Sequence, residues 1–473
     1  MKKDMALLDV IKLDKCSNIG ENYDNSLLEE YCNELKYRVL DRNILFVNCP
    51  QFNIYSYNSD VVKNKAYYVY PNTGLQCLKS SLNGRNLNIE IFDLNYNLLR
   101  KLNDDEINIE NWLEIFKEKF DNGRYSVIGL SSLFEVDFPY YKKIANYLKT
   151  KESIVISGGQ NATYNTKELL NEGCCHFVLQ REAENKIKFL FDYIYENCGN
   201  KPTPQIFFKH KNKIHESQGD LDIVKFEGDL IDSYENIPLE DYCNVGSLSP
   251  YSRIVGKDKK FGAISFNRGC RANCRFCDVG NFSGRKVRTR NIEDTLKEID
   301  FLYNNKGVRF LELLDDDLLY NRENVKKLFK GIIYRNYKDL KWASTNGIIA
   351  AFIDEEAMNL FRDSGCVGFR IGLESGNSEI LRNVKKPGTK DTFRRFGNLA
   401  QKYPEMFIVD NIIVGVPNET LGQMMDSFNF SLELNLDCSS FAEYQKNVSW
   451  DDKILVEHHV PDFQPPKDGI IFE

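Results

Sequence analysis

Two blocks of the chain alternate short, β-rich apolar runs with helical patterns of apolar residues. The first block starts at Asn43 and has apolar runs at 43–49, 87–94, 126–132, 153–157 and 176–179. Between them, Leu75, Leu78 and Leu82 keep i, i+3, i+7 spacing, and Trp112, Phe116 and Phe120 keep i, i+4, i+8 spacing. Strands alternating with helices predict an α/β fold with a parallel, doubly wound, Rossmann-like sheet. The second block starts at Phe261, with strands expected at 262–267, 308–314, 340–345, 367–373, 407–416 and 438–444. Ile292, Leu296, Ile299 and Leu302 form one helical stripe there. Thr420-x-x-Gln423 is a capping box ahead of Met424, Phe428 and Leu432. Gly365 follows a helical stretch, where a C-cap glycine is expected. Six β–α units are too few for a closed eight-stranded barrel.

These patterns divide the chain into an N-terminal extension (1–40, helical over 25–37), a Rossmann-like domain (41–199), a polar connector (200–258), a second α/β domain (259–446) and a tail (447–473). The connector carries an isolated two-strand pattern near Gln205–Ile214. Tyr251 and Arg253 close it, as candidates to reach the mouth of the second domain or as plain linker residues. Length changes the picture little: 473 residues suit two or three domains. Hydrophobic content of 42% and charged content of 28% describe a globular chain. Net charge is −7 with Lys and Arg dispersed, which argues against a nucleic-acid partner. No 18-residue apolar run exists, so no membrane span is expected. Met1-Lys2-Lys3-Asp4 leads into no signal-peptide core. With thirteen cysteines, an odd number, a reduced cytoplasm is the expected setting.

The chemistry concentrates at Gly269-Cys270-Arg271-Ala272-Asn273-Cys274-Arg275-Phe276-Cys277. Cys-x3-Cys-x2-Cys spacing after a strand lets one loop aim three thiolates at a cubic cluster. A 4Fe–4S cluster held by Cys270, Cys274 and Cys277 leaves one iron without a protein ligand, and an open position is what a catalytic metal site needs. The alternatives are a three-cysteine zinc site or a chance cluster. Zinc wants a fourth Cys or His, and no histidine lies between His215 and His458.

With an aromatic before its third cysteine, this loop resembles that of the radical S-adenosylmethionine (SAM) enzymes. The resemblance implies a (β/α)6 partial barrel, open on one side, whose free iron binds the amino and carboxylate groups of SAM. An electron from the cluster then cleaves SAM to methionine and a 5′-deoxyadenosyl radical. It also implies an electron donor such as flavodoxin or ferredoxin.

Functional residues of parallel barrels collect at the carboxyl ends of strands. Asp315-Asp316-Asp317 follows the second strand, and three consecutive carboxylates are too costly to bury unpaired. The resemblance makes Asp316 the receiver of the SAM amino group; the alternative is a solvated acidic turn. Ser344 and Asn346 close the third strand with groups suited to a hydroxyl or carboxylate. Gly372-Leu373-Glu374-Ser375-Gly376 resembles the family's ribose-binding segment, with Glu374 as a two-hydroxyl acceptor and Ser375 beside it. Ile412-Ile413-Val414-Gly415-Val416-Pro417 matches an apolar shelf for adenine, with Val414 and Gly415 as its candidate contacts, flanked by Phe276. Phe282-Ser283-Gly284 and Arg288-x-Arg290 also match; the arginines steady cofactor groups or form salt bridges. Cys366 and Cys438 read as buried structural thiols, and His458-His459 as surface residues.

Gly158-Gly159 follows a strand and permits close backbone approach to a ligand, or makes a tight turn. With Pro71-x-x-Gly74-Leu75, Ile91-Phe92-Asp93, Ser131-x-Leu133 and Arg181-Glu182-Ala183-Glu184, the first domain resembles the cobalamin-binding domain of a radical SAM subgroup. Asn48, Ser131, Leu133, Gly158, Gly159 and Glu182 are its candidate contacts. The Asp-x-His-x-x-Gly signature is missing, which implies cobalt without a histidine ligand, and Arg181 stands where a glycine is usual. The resemblance therefore implies a cobalamin-dependent C-methyltransferase acting on a metabolite or peptide. A non-methylating cyclase, rearranging or oxidising enzyme, and a sensor with a degenerate cobalamin domain, are the alternatives.

Overall fold

The computed structural model describes residues 23–39, 41–195, 202–220 and 223–444. Cys16, Trp450, the His458-His459 pair and the tail lie outside the described residues. Seven strands form the first sheet: β1 Asn43–Asn48, β2 Asn88–Asp93, β3 Val127–Ser131, β4 Ile154–Gly158, β5 Phe177–Leu179, β6 Ile206–His210 and β7 Lys213–Glu216. Their order is β2-β1-β3-β4-β5-β6-β7. The first five are parallel, as the alternation predicts, and β6 and β7 are antiparallel. The hairpin in the connector is thus not isolated: Phe177 pairs with Phe208, and β6 covers what would have been an open edge at β5.

The second sheet is entirely parallel, and its strands run in sequence order. It contains β8 Phe261–Ile264, then, beyond a separate two-stranded pair of β9 Asn267–Arg268 and β10 Arg288–Thr289, the strands β11 Phe310–Leu313, β12 Lys341–Ile348, β13 Cys366–Glu374, β14 Phe407–Val414 and β15 Cys438–Glu443. Among the described residues β8 pairs only with β11 and β15 only with β14, so the six-stranded sheet does not close on itself there. The strands from β11 to β14 are each followed by helical chain on the outer face. Phe329 stacks on Trp342 and Phe361 meets Phe369 edge-on, which shows how the aromatic positions of β12 and β13 bury against the helix layer.

Local signals hold where they are chemical. Thr420 accepts from Gln423 N, and Gln423 Oε1 accepts from Thr420 N at 2.9 Å. Gly365 has φ 93°, and a Cβ there would stand 2.6 Å from Leu340 O. The helix Leu421–Leu434 turns the opposite way from expectation. It buries Ser427, Phe430, Ser431 and Leu434, leaving Phe428 45% and Leu432 63% exposed. The reason is Gly376: a Cβ there would meet Phe430 Cβ at 2.5 Å and Ser427 Cα at 2.7 Å. Backbone approach that close admits only the small face of the helix. Cys366 is buried as expected, but Cys438 is exposed because β15 is an edge strand.

The connector does not run over the surface. Helix Pro250–Val255 starts in a Ser249–Ser252 capping box and seats Tyr251, 1% exposed, against the first residues of β13 and β14. A Cβ on Gly368 would lie 2.5 Å from the Tyr251 ring. Tyr251 therefore closes the bottom of the barrel, at the opposite end from its mouth. Ser249 donates to Glu312 at 2.8 Å inside that end.

Candidate functional site

The cysteine loop leaves β9 through Gly269, whose φ of 86° and carbonyl neighbours leave no room for a Cβ. Gly269 N donates to Asp316 Oδ2 at 2.9 Å, and Cys270 N to Gly284 O at 3.3 Å. Arg271 forks onto Asp317 at 2.8 and 3.1 Å and lies 3.7 Å from the centroid of the Phe352 ring. On the other side, Arg275 N donates to Val384 O at 3.0 Å. The loop is therefore fixed at both flanks, between the ends of β11 and β13.

Cys270, Cys274 and Cys277 are all half-buried. Burial pushes the Cys270 and Cys277 thiols up to about 11 and raises Cys274. Each also feels the charge of another member of the trio: Cys277 acts on Cys270, Cys270 on Cys274, and Cys274 on Cys277. Such a triangle fits a cluster in which each sulfur binds a different iron. Metal must displace the protons that burial favours, and one nearby cation favours thiolate. Lys386, not anticipated from the sequence, acts on both Cys274 and Cys277. It reads as part of a polar Lys385-Lys386-Pro387-Gly388 turn, and no local signal marks it.

The three aspartates have separate tasks. Asp315 is fully buried and accepts from Phe266 N and Asn267 N; burial raises it to about 7. Asp317 pairs with Arg271. Only Asp316 is half-exposed and lines the cavity above the loop. Glu374 takes φ 65° at the end of β13 and pairs with Lys386 at 2.8 Å. A Cβ on Gly372 would collide with both partners at 2.2 Å, so this glycine makes room for the pair at the barrel mouth.

Strand alternation sorts the remaining candidates. Ser344 pairs with Phe369, whose ring packs on Phe361 and Phe396 of the helix layer, so Ser344 points outward. Thr345 faces inward instead and donates twice to Glu312 Oε1. Asn346 is exposed and donates to Leu314 O at 2.9 Å. Ser375 is buried against Ser427 of the last helix, with 3.0 Å between the hydroxyls. Val414 packs into the main core, whereas Ile413 joins Phe276, Ile380, Val384 and Val416 in a separate apolar cluster beside the loop. The shelf lies in the expected stretch, but Ile413 and Val416 form it rather than Val414. Gly415, φ 81°, has open space where a Cβ would be.

A cavity of ≈ 250 Å³ lies between the first sheet and the loop. Ser131, Leu133, Gly158, Gly159, Arg181 and Glu182 line it from one side, and Phe282, Ser283, Leu314 and Asp316 from the other. Gly158 presents open backbone, while Gly159, φ 97°, would drive a Cβ to 2.3 Å from Ser132 O. Asn48 lies beneath this surface, bonded to Asp93 and Asn72. Arg181 takes φ 59°, a left-handed conformation that favours glycine. Glu182 and Glu184 do not face the ligand space with free charges: Arg288 binds Glu182, and Arg268 binds Glu184 and reaches Cys77 Sγ at 2.8 Å. Arg290 pairs with Glu298, both 1% exposed. Arg268 and Arg288 thus stitch the two α/β units together, whereas the Arg290 pair lies within the second. Gln160 adds a 3.2 Å bond to Asp278, the residue after Cys277.

Residues 264–431 match the model of the radical SAM superfamily. Over 348 residues the chain is 24% identical to a cytidylyl-2-hydroxyethylphosphonate methyltransferase of Streptomyces wedmorensis, covering 67% of this chain and 63% of that protein. It is 24% identical over 258 residues to an anaerobic magnesium-protoporphyrin IX monomethyl ester cyclase of Synechocystis, covering 53% of this chain and 48% of the cyclase. The fold is similar to that of the radical SAM methyltransferase TsrM from Kitasatospora setae, solved with cobalamin and a 4Fe–4S cluster. The TM-score is 0.63 at 15% identity, over 85% of this chain and 72% of TsrM. Among the described residues, no helix is long and apolar enough to cross a membrane.

Proposed function

We propose, from the match of residues 264–431 to the radical SAM superfamily, that the chain is a cobalamin-dependent radical SAM methyltransferase acting on an unactivated carbon of a metabolite or peptide. The observation that carries this reading is the cavity shared by the glycine pair after β4 and by Asp316 beside the cysteine loop. When bound, the cluster supplies the electron that cleaves SAM, and cobalamin supplies the methyl group. Cys270, Cys274 and Cys277 hold the cluster. Asp316 receives the SAM amino group, Glu374 the ribose hydroxyls, and Phe276 with Ile413 and Val416 the adenine. Asn346 and Gly415 complete the rim. Ser131, Leu133, Gly158, Gly159 and Glu182 form the corrinoid side. The protein's own work is positioning and exclusion of water.

A cavity of ≈ 250 Å³ is at the small end of ligand pockets. The cyclase relative favours a second reading, a non-methylating reaction on the same core. The domain limits read from the sequence, with the first domain carried on through the β6–β7 hairpin to Glu216, a cytoplasmic location and a flavodoxin or ferredoxin donor complete the proposal.

The test is anaerobic reconstitution with iron and sulfide, addition of hydroxocobalamin, desalting, and metal counts, followed by product masses. Four irons and one cobalt per chain with a one-carbon mass gain support methyl transfer. Four irons without cobalt remove it and leave the SAM-only reaction.

A further inference from the structure

One group of side chains outside the barrel is arranged as metal ligands. Helix Ser26–Leu35 presents Glu30 and Glu34 one turn apart on one face, and β6 places His210 against them. His210 Nε2 stands 3.6 Å from Glu30 Oε1, and Nδ1 stands 3.5 Å from Glu34 Oε2. One ligating atom from each of the three residues falls within 4.8 Å of the other two. The carboxylates are 43% and 54% exposed, whereas His210 is 5% exposed. Its Nε2 has no hydrogen-bond partner. A buried ring nitrogen without a partner is uncommon and costs stability.

A 3.6 Å gap is too long for a hydrogen bond. It suits Glu30 and His210 as two ligands of one ion, because nitrogen and oxygen at zinc bond lengths in a tetrahedral arrangement stand about 3.4 Å apart; Glu34, whose Oε2 stands by Nδ1, reaches the same ion by a rotation of its half-exposed side chain. We infer that Glu30, Glu34 and His210 form a binding site for a divalent first-row metal ion of the zinc class, with His210 Nε2 as the buried ligand and the carboxylates closing it from the solvent side. An imidazole with two carboxylates suits such an ion better than calcium or magnesium, which take all-oxygen sites. Water fills the remaining position. Tyr31, on the same helix, lies 5.4 Å from the imidazole and stacks at 5.6 Å on Phe208, which fixes the ring between helix and sheet. The ion would clamp this helix onto the hairpin that extends the first sheet.

Lys211 Nζ sits 2.6 Å from Glu30 Oε1 and is the counter-ion that the metal must displace. Removing it has opposite consequences for the two possible roles of this cluster. A metal site binds its ion more tightly without Lys211; a plain ion-pair cluster gains no affinity for metal.

The experiment titrates the full chain with Co2+ and then Zn2+. The expected result is one Co2+ per chain with weak visible ligand-field bands and no sulfur-to-metal charge transfer, which separates this site from the cysteine loop. His210→Asn weakens binding more than about tenfold, exposed Glu34→Gln weakens it without disturbing the fold, and Lys211→Met tightens it. Zn2+ raises the thermal midpoint of the native chain but not of His210→Asn. Absence of stoichiometric Co2+ binding overturns the inference. So does affinity that is unchanged in both Glu34→Gln and Lys211→Met, or a cobalt spectrum of sulfur character that persists in His210→Asn.

Discussion

Lys386→Met tests the ion pair at the barrel mouth. The side chains of Lys386 and Glu374 are 10% and 9% exposed and meet at 2.8 Å. Burial works against the ammonium, but Glu374 and the Cys274 thiolate outweigh it and raise the Lys386 pKa. At 2.8 Å and an effective dielectric constant of about 20, the gross attraction is about 6 kcal/mol. Desolvation of both groups offsets most of it. Removing one partner leaves a buried carboxylate without its cation, a change that costs about 3–5 kcal/mol. Taking about 3 kcal/mol, amides of Cys366–Glu374 should exchange with deuterium on the order of a hundredfold faster in Lys386→Met. The double variant Lys386→Met, Glu374→Gln removes both charges and should recover most of that protection. Cluster retention should fall in both, because Cys274 and Cys277 lose the cation that favours their thiolates. Unchanged exchange in the single variant, or equal loss in single and double variants, would refute the pairing argument.

Cys274→Ala should abolish the cluster's visible absorbance and all SAM cleavage; an active cluster in this variant sinks the assignment. Gly159→Ala forces a Cβ to 2.3 Å from Ser132 O at φ 97°. It should cost about 1–3 kcal/mol and lower cobalt content after desalting, both measurable by thermal unfolding and metal analysis. Asp410 is buried on β14, and burial lifts its carboxyl to about 6. Between its unfolded value of about 4 and its folded value, the native state holds a proton that the unfolded chain releases. Stability therefore falls as pH rises through that window, by up to about 1.4 kcal/mol per pH unit, and is flat above it. Urea unfolding at several pH values should show this slope in the native chain and not in Asp410→Asn. Arg271→Ala strips the fork from Asp317, whose side chain is 1% exposed, and should reduce iron retained after desalting; full retention would show that the loop holds without it.

What the sequence by itself determined is what local chemistry encodes. Period-two and period-3.6 patterning placed eleven strands within a few residues, because every one of them but the edge strand β15 buries one or both faces whatever its neighbours are. The Cys-x3-Cys-x2-Cys spacing, the Thr420 capping box and the Gly365 cap needed only nearby chain. Tertiary structure decided what depends on two distant segments meeting. A one-residue step on a strand exchanges lumen for helix layer, which within the Ser344–Gly347 end turned Thr345 rather than Ser344 inward, and within Ile412–Pro417 put Ile413 rather than Val414 beside the loop. Gly376 turned the last helix onto its serine face and left Phe428 and Leu432 outside. Lys386 reached Glu374 and the cysteine loop only through the fold of the turn after β13. Tyr251 went to the barrel floor because Gly368 leaves a space that no pattern in the linker records. Hydrophobic periodicity is a property of one segment, whereas register, close approach and charge pairing belong to pairs of segments, and those exist only once the chain has folded.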